Sequence, residues 1–202
     1  MNRRTFVLAL GGAGLACSQA VAAELRTIVM VRHGEKPPQG LGQLSCRGLN
    51  RSLRLPAVIA AKFGRPDAVF APDPSKRKKD EGVRYDYVRP LATIEPTAVF
   101  FGLPVNTSYG YQDLAGLQRA LEADRYRAAT LLVGWEHKEI EKLARRLLAA
   151  HGGDPAQVPD WHGDDFDSIF VLRLVRDGAA RRATFDHLRQ GLDGLPQSCP
   201  GG

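Results

Sequence analysis

From Leu25 to Phe185, short apolar runs take turns with amphipathic segments of helical length, and this alternation constrains the fold most. Ile28 to Val31 is a continuous apolar run without strict alternation, which suits a strand covered on both faces. Ser45 to Phe63 places Leu49, Leu53, Ala57, Ile59 and Ala60 near one helical stripe, and Pro56 is expected to kink that helix or end its first half. Asp67 to Ala71 reads as a second strand. Pro72 to Val88 holds two prolines, a glycine and a charge run, and reads as a loop. Pro90 suits a first helical position, and Leu91, Ile94, Ala98 and Phe101 share a face, so Pro90 to Phe101 reads as a helix. A brief strand is expected at Pro104 to Asn106, a short helix at Asp113 to Ala123 and a buried strand at Thr130 to Val133. Glu136 to Ala150 is the clearest helix, stopped by Gly152, Gly153 and Pro155. Ser168 to Val175 and Arg181 to Phe185 read as strands around a turn at Asp177-Gly178. This order predicts an α/β protein, a three-layer α/β/α sandwich around a mainly parallel, mixed central sheet.

The 202-residue length favours one domain. No repeat or flexible linker divides residues 24–202, which are expected to form it. Residues 1–23 read differently. Arg3 and Arg4 precede an apolar stretch of signal-peptide length, and Ala20 to Ala23 offers cleavage after Ala22 or Ala23. The expectation is export to the periplasm or the medium, with no stable membrane insertion after the signal is removed. Arg3-Arg4-Thr5-Phe6 also resembles the twin-arginine export signal. Gly14 to Cys17 resembles a lipoprotein cleavage site less well. Loss of Arg3 and Arg4 lowers the net charge from +6 to about +4, which favours anionic partners without choosing among them. No finger spacing, basic aromatic strand or heptad is present, so nucleic acid is not expected as a partner. Cys46 and Cys199 remain as a pair; a disulfide and two free thiols are both open readings.

Arg32-His33-Gly34 follows the first strand directly, and His137 follows the Thr130 strand. Open α/β sheets build their sites at the carboxyl ends of strands. Arg89 and His137 both stand at helix starts, where free N–H groups and the dipole favour anions. Four groups suited to a phosphate thus converge on one edge: Arg32, His33, Arg89 and His137. A neutral imidazole is a nucleophile near pH 7, and arginine forks bind phosphoryl oxygens with permanent charge.

Val31-Arg32-His33-Gly34-Glu35 resembles the signature of the histidine phosphatase superfamily, which includes the phosphoglycerate mutases. Leu44 to Gly48 with Arg51-Ser52, Arg89 to Thr93, and Leu131 to His137 resemble three further blocks of that family, in the right order. The resemblance implies a phosphoglycerate mutase-like fold and a phosphomonoester hydrolase of acid type working through a phosphohistidine at His33. It implies that Arg32, Arg89 and His137 bind the phosphoryl group, with no metal or other cofactor. A small phosphorylated substrate, or a phosphorylated component of the cell envelope, is the expected partner. A catalytically silent phosphate- or glycan-binding module on the same fold is the alternative, and a phosphomutase is a third reading.

The leaving alcohol needs a proton. Lys138 follows His137 where the acid-phosphatase branch has an aspartate, so that donor is missing. Asp113 lies at about the mutase-like distance beyond Arg89 and is the leading candidate; Glu95, Glu136 and Asp165 are the others. Without such a donor, substrates with good leaving groups, such as phosphoramidates, are expected. Ser75 to Lys79 reads first as a solvated loop and second as a basic rim for polyanionic substrates. Asp160 to Asp167 looks superficially metal-binding, but its spacing matches no calcium or zinc motif, and a polar loop opening a strand fits better.

Overall fold

A computed structural model of the chain describes residues 23–201, so the predicted signal segment and Cys17 lie outside the described residues. Among these residues eight strands and four α-helices follow one another: β1 (Glu24–Arg32), α1 (Cys46–Phe63), β2 (Ala68–Pro72), β3 (Lys78–Asp80), β4 (Val83–Tyr85), α2 (Arg89–Phe101), β5 (Val105–Tyr109), α3 (Leu114–Leu121), β6 (Thr130–Trp135), α4 (His137–Ala150), β7 (Ser168–Asp177) and β8 (Ala180–Arg189). The main sheet has the order β5-β2-β6-β1-β7-β8. β5, β2, β6 and β1 are parallel, while β7 pairs antiparallel with β1 and β8 with β7. The sheet is therefore mixed and mainly parallel, as the alternation of elements predicts.

Period-two alternation on β1 divides the core. Ile28 and Met30 join the cluster that holds α3 and α4 with Trp135 and Trp161. Val29 and Val31 join the opposite cluster, with Leu55 and Ile59 of α1 and Ile94 and Ala98 of α2. The continuous apolar run of β1 follows from this, because both of its faces are covered. Three layers result, with the carboxyl ends of β1, β2, β5 and β6 on one edge.

α1 runs on through Pro56, so of the two outcomes expected there the helix does not end, and Leu55 and Ile59 on either side of it pack on the same core face. The segment from Pro72 to Val88 is more than a loop: β3 and β4 form a small hairpin. Its strands are three residues each, and four of the six residues are charged, so they carry no apolar alternation. The turn was written in Glu81-Gly82, both with positive φ (48° and 89°), as a tight two-residue hairpin requires. Cys46 and Cys199 are joined in a disulfide, their Cα atoms 4.5 Å apart, which ties the C-terminal segment to the start of α1. Asn50 supports that tie by donating to the carbonyls of Pro196 (3.1 Å) and Ser198 (2.8 Å).

Candidate active site

The site begins where β1 ends. Arg32 pairs in register with Trp135 of β6, and the His33 backbone N–H donates to the Trp135 carbonyl at 3.0 Å, so the loop after β1 leaves along the sheet edge. It then passes under α1 so closely that a Cβ on Gly48 would lie 2.4 Å from the Glu35 carbonyl oxygen. The Gly34 N–H donates to Thr93 Oγ1 (2.9 Å), whose hydroxyl donates to the Arg89 carbonyl (2.8 Å), and this ties the loop to α2.

His33 is buried, with 4% of its surface exposed. Its Nδ1 lies 2.8 Å from the Gly34 carbonyl oxygen, which can only accept. The proton is thereby fixed on Nδ1, and Nε2 keeps its lone pair. Burial, reinforced by the charges of Arg89 and Arg32, holds the ring well below the usual histidine range, so it is neutral at pH 7. Aromatic rings frame it: Tyr87 stands edge-on with centroids 6.0 Å apart, and Phe166 lies at 6.3 Å.

Two buried guanidinium groups flank this ring. Arg32 stacks 3.8 Å from the centroid of Phe166 and donates to the carbonyls of Gly163 (2.7 Å) and Asp165 (2.9 Å). Burial lowers its pKa to about 10, so it keeps its charge at neutral pH. Arg89 lies 5.1 Å from the Tyr87 centroid and pairs with buried Asp80 of the hairpin and with the Gly40 carbonyl (3.2 Å). In both arginines Nε is buried without a hydrogen-bond partner among the described residues. A buried charged group normally has its donors satisfied, so these two Nε–H groups are left free to donate.

The hairpin and α4 close the far side. Lys78 Nζ lies 4.9 Å from the Tyr87 centroid and 3.7 Å from Glu136 Oε1. Glu136 is buried at the start of α4, where Oε2 accepts from the Glu139 N–H (3.1 Å) and Oε1 lies 2.9 Å from His137 Nδ1. Burial alone would raise its carboxyl, but His137, Lys78 and the helix N–H hold it down at about 2. Among the shells behind the site, Arg51 is 1% exposed and joins its two walls: it donates to Glu35 (2.8 and 3.0 Å) and to Asp167 (3.2 Å).

Arg32, His33 and Arg89 therefore come together, and His137 reaches them through Glu136, whose charge acts on Arg32. Asp113 does not join them. It is an exposed N-cap of α3, its Oδ1 accepting from the Gly116 N–H at 2.8 Å. Glu95 is exposed on the outer face of α2. Asp165 contributes its carbonyl to Arg32, while its carboxylate is taken by the Ser168 hydroxyl (2.5 Å) and the N–H groups of Asp167 and Ser168. The polar segment from Asp160 to Asp167 is thus a cradle for Arg32, and no group of three or more metal-ligating side chains occurs among the described residues. Sequence reading missed Tyr87, Lys78, Asp80 and Phe166. Only Lys78 left a signal, in the basic run; the others are ordinary loop residues until the hairpin and the Asp160 segment fold over His33.

No protein-family model and no curated protein matches the chain. Solved structures do match. A mycobacterial glucosyl-3-phosphoglycerate phosphatase in complex with inorganic phosphate is 16% identical over 80% of this chain and 95% of its own, with a TM-score of 0.52. A structure assigned as the phosphohistidine phosphatase SixA from Nakamurella multipartitia is 16% identical over 84% of this chain and 98% of its own, at 0.51. A structure described as mycobacterial hydrolase 2 is 15% identical over 81% and 90%, at 0.53. The chain shares the fold of these proteins, which is the phosphoglycerate mutase-like α/β/α arrangement that the motif resemblance implied.

Proposed function

We propose that this chain is a phosphatase of the histidine phosphatase superfamily, with His33 as its nucleophile. One observation carries the reading: a neutral imidazole with its proton fixed on Nδ1 sits between two buried arginines whose Nε–H groups are idle. His33 Nε2 attacks phosphorus, the bond from phosphorus to the leaving group breaks, and water then cleaves the phosphohistidine. Arg32, Arg89, Lys78 and His137 hold the phosphoryl oxygens. Phosphoryl transfer asks mainly for positioning and positive charge, and these side chains offer both.

Glu136 takes the proton-transfer role in place of Asp113. Asp80 is committed to Arg89 and Lys36, and Asp165 to Ser168, which leaves Glu136 as the carboxylate facing His137 and Lys78. Because it is held ionised, it serves as a base for the attacking water better than as an acid for the leaving group. Substrates whose leaving groups need little protonation, phosphoramidates and aryl phosphates, are favoured over alkyl phosphates. The SixA-like neighbour is named for a phosphoramidate substrate, which agrees with this preference. Export to an oxidising compartment belongs to the same proposal, supported by the Cys46–Cys199 disulfide and the predicted signal. The natural substrate is then a small phosphorylated molecule or a phosphorylated envelope component.

The test is hydrolysis of a series from p-nitrophenyl phosphate through phenyl phosphate to alkyl phosphates, with EDTA present throughout. Turnover that survives EDTA and falls steeply with rising leaving-group pKa supports the reading. Tight phosphate binding without any turnover would instead identify a silent binding module.

A further inference from the structure

Tyr87 lies between β4 and α2, two residues before Arg89. Its backbone is held on both sides: the Tyr87 N–H donates to the Pro74 carbonyl at 2.8 Å, and the Arg89 N–H to the Gly42 carbonyl at 2.9 Å. The ring is held as well. It meets the His33 ring edge-on at 87°, and its centroid lies 5.4 Å from that of Tyr111. The cations of Lys78 and Arg89 lie 4.9 and 5.1 Å from the same centroid. These contacts fix where the hydroxyl sits.

That hydroxyl is the anomaly. Tyr87 is fully buried, and its Oη has no hydrogen-bond partner among the described residues. A buried phenol costs stability unless its O–H finds an acceptor, and buried tyrosines ordinarily have one. Phenylalanine would fill the same space without that cost. The charges that act on the hydroxyl are those of the candidate site: Arg89, Glu136 and Arg32. Arginine can only donate, so neither guanidinium accepts the phenolic proton. Glu136 already accepts from the Glu139 N–H and faces His137 and Lys78. Burial pushes the phenol's pKa up, so the group stays a neutral donor across the neutral range.

We propose that the Tyr87 hydroxyl is a further substrate contact of this site, donating to a non-bridging oxygen of the phosphoryl group that Arg32 and Arg89 bind. The proposal rests on the phosphatase reading for its substrate, but the contact itself is one that a silent phosphate-binding module would also make. A non-bridging oxygen follows from the neighbours. Tyr87 stands beside the nucleophilic ring and Arg89, whereas a leaving group departs in line, on the side opposite to His33 Nε2. A neutral donor adds a hydrogen bond where another cation would repel Arg32, Arg89 and Lys78.

Tyr87→Phe keeps the ring and its packing and deletes only Oη. Calorimetric titration of the full chain with inorganic phosphate should show an affinity about 10- to 100-fold below wild type, the worth of one hydrogen bond to a charged group. The melting temperature without phosphate should equal or exceed that of wild type, because an unpartnered buried hydroxyl has been removed. On the series from p-nitrophenyl phosphate to alkyl phosphates, kcat/KM should fall by a similar factor for every member, so the dependence on leaving-group pKa keeps its slope. The titration needs no turnover: wild type that binds phosphate and hydrolyses nothing would reject the phosphatase reading, while the phosphate affinity of the variant still decides the contact. Four results would overturn the contact: wild type that binds no phosphate, a variant affinity within about twofold of wild type, a melting temperature lowered in step with affinity, or a loss confined to substrates with poor leaving groups.

Discussion

At the scale of single residues, the proposed chemistry turns on which group holds a proton. His33 is kept neutral well below its usual range, so lowering the pH through 6.5 leaves Nε2 free to attack. The acid limb of the kcat profile should accordingly fall below the ordinary histidine pKa; a limb centred at 6.5 in kcat would speak against the burial argument. Glu136→Gln separates the two chemical steps. It leaves His33 and both arginines in place, so phosphorylation by p-nitrophenyl phosphate should proceed while release of phosphate slows by about 10²–10⁴-fold. Stopped-flow should then show a burst of nitrophenol approaching one equivalent, larger than that of wild type. Arg89→Ala removes charge needed both for binding and for the transition state, and kcat/KM should fall by about 10²–10³-fold without any burst. The positions of Arg32, His33, Arg89 and His137 are legible because they end or follow strands or open helices, places that the alternation of elements locates without tertiary information. Separation along the chain does not report direction: the Asp113 side chain is engaged in capping α3, a commitment its distance from Arg89 does not reveal.

At the scale of elements, the β3–β4 hairpin matters most, and it was the least legible. Two three-residue strands, four of whose six residues are charged, give no periodic signal, yet they deliver Asp80 to Arg89 and Lys78 to Glu136. The seat of this hairpin is tight. Gly40 has a φ of +74°, and a Cβ there would lie 2.3 Å from the Asp80 carboxyl carbon. Gly40→Ala should therefore push Asp80 off Arg89, cost about 1–3 kcal/mol of stability and raise KM. Denaturant titration beside kinetics checks this; an unchanged KM would detach the hairpin from the site. Arg51 makes the opposite point about legibility. A charged residue on an amphipathic helix reads as a solvated face, but here it is buried against Glu35 and Asp167 and joins the two loops around His33.

At the scale of the whole molecule, three layers and one disulfide set the response to acid and to reductant. Glu136 near 2 in the fold, against an ordinary 4.5, contributes on the order of 3 kcal/mol above pH 4.5 that is lost as pH falls toward 2. Asp80, Asp165 and Asp167 are also held low and act in the same direction. His33 adds to it from a higher pH, since the unfolded ring takes a proton below 6.5 that the folded ring refuses. The denaturation midpoint should thus decline from about pH 6.5 downward, and His33→Ala should flatten the upper part of that decline. Reduction of Cys46–Cys199, which spans 153 residues, should cost about 2–5 kcal/mol. The central claim is the phosphohistidine, and rapid quenching tests it most directly. Wild type is mixed with ³²P-labelled substrate and stopped in alkali within one turnover. Label that is alkali-stable, acid-labile and located on His33 by peptide mapping is the predicted result. Active wild-type protein that never carries such label, or a folded His33→Ala protein that turns over at the wild-type rate, would contradict it.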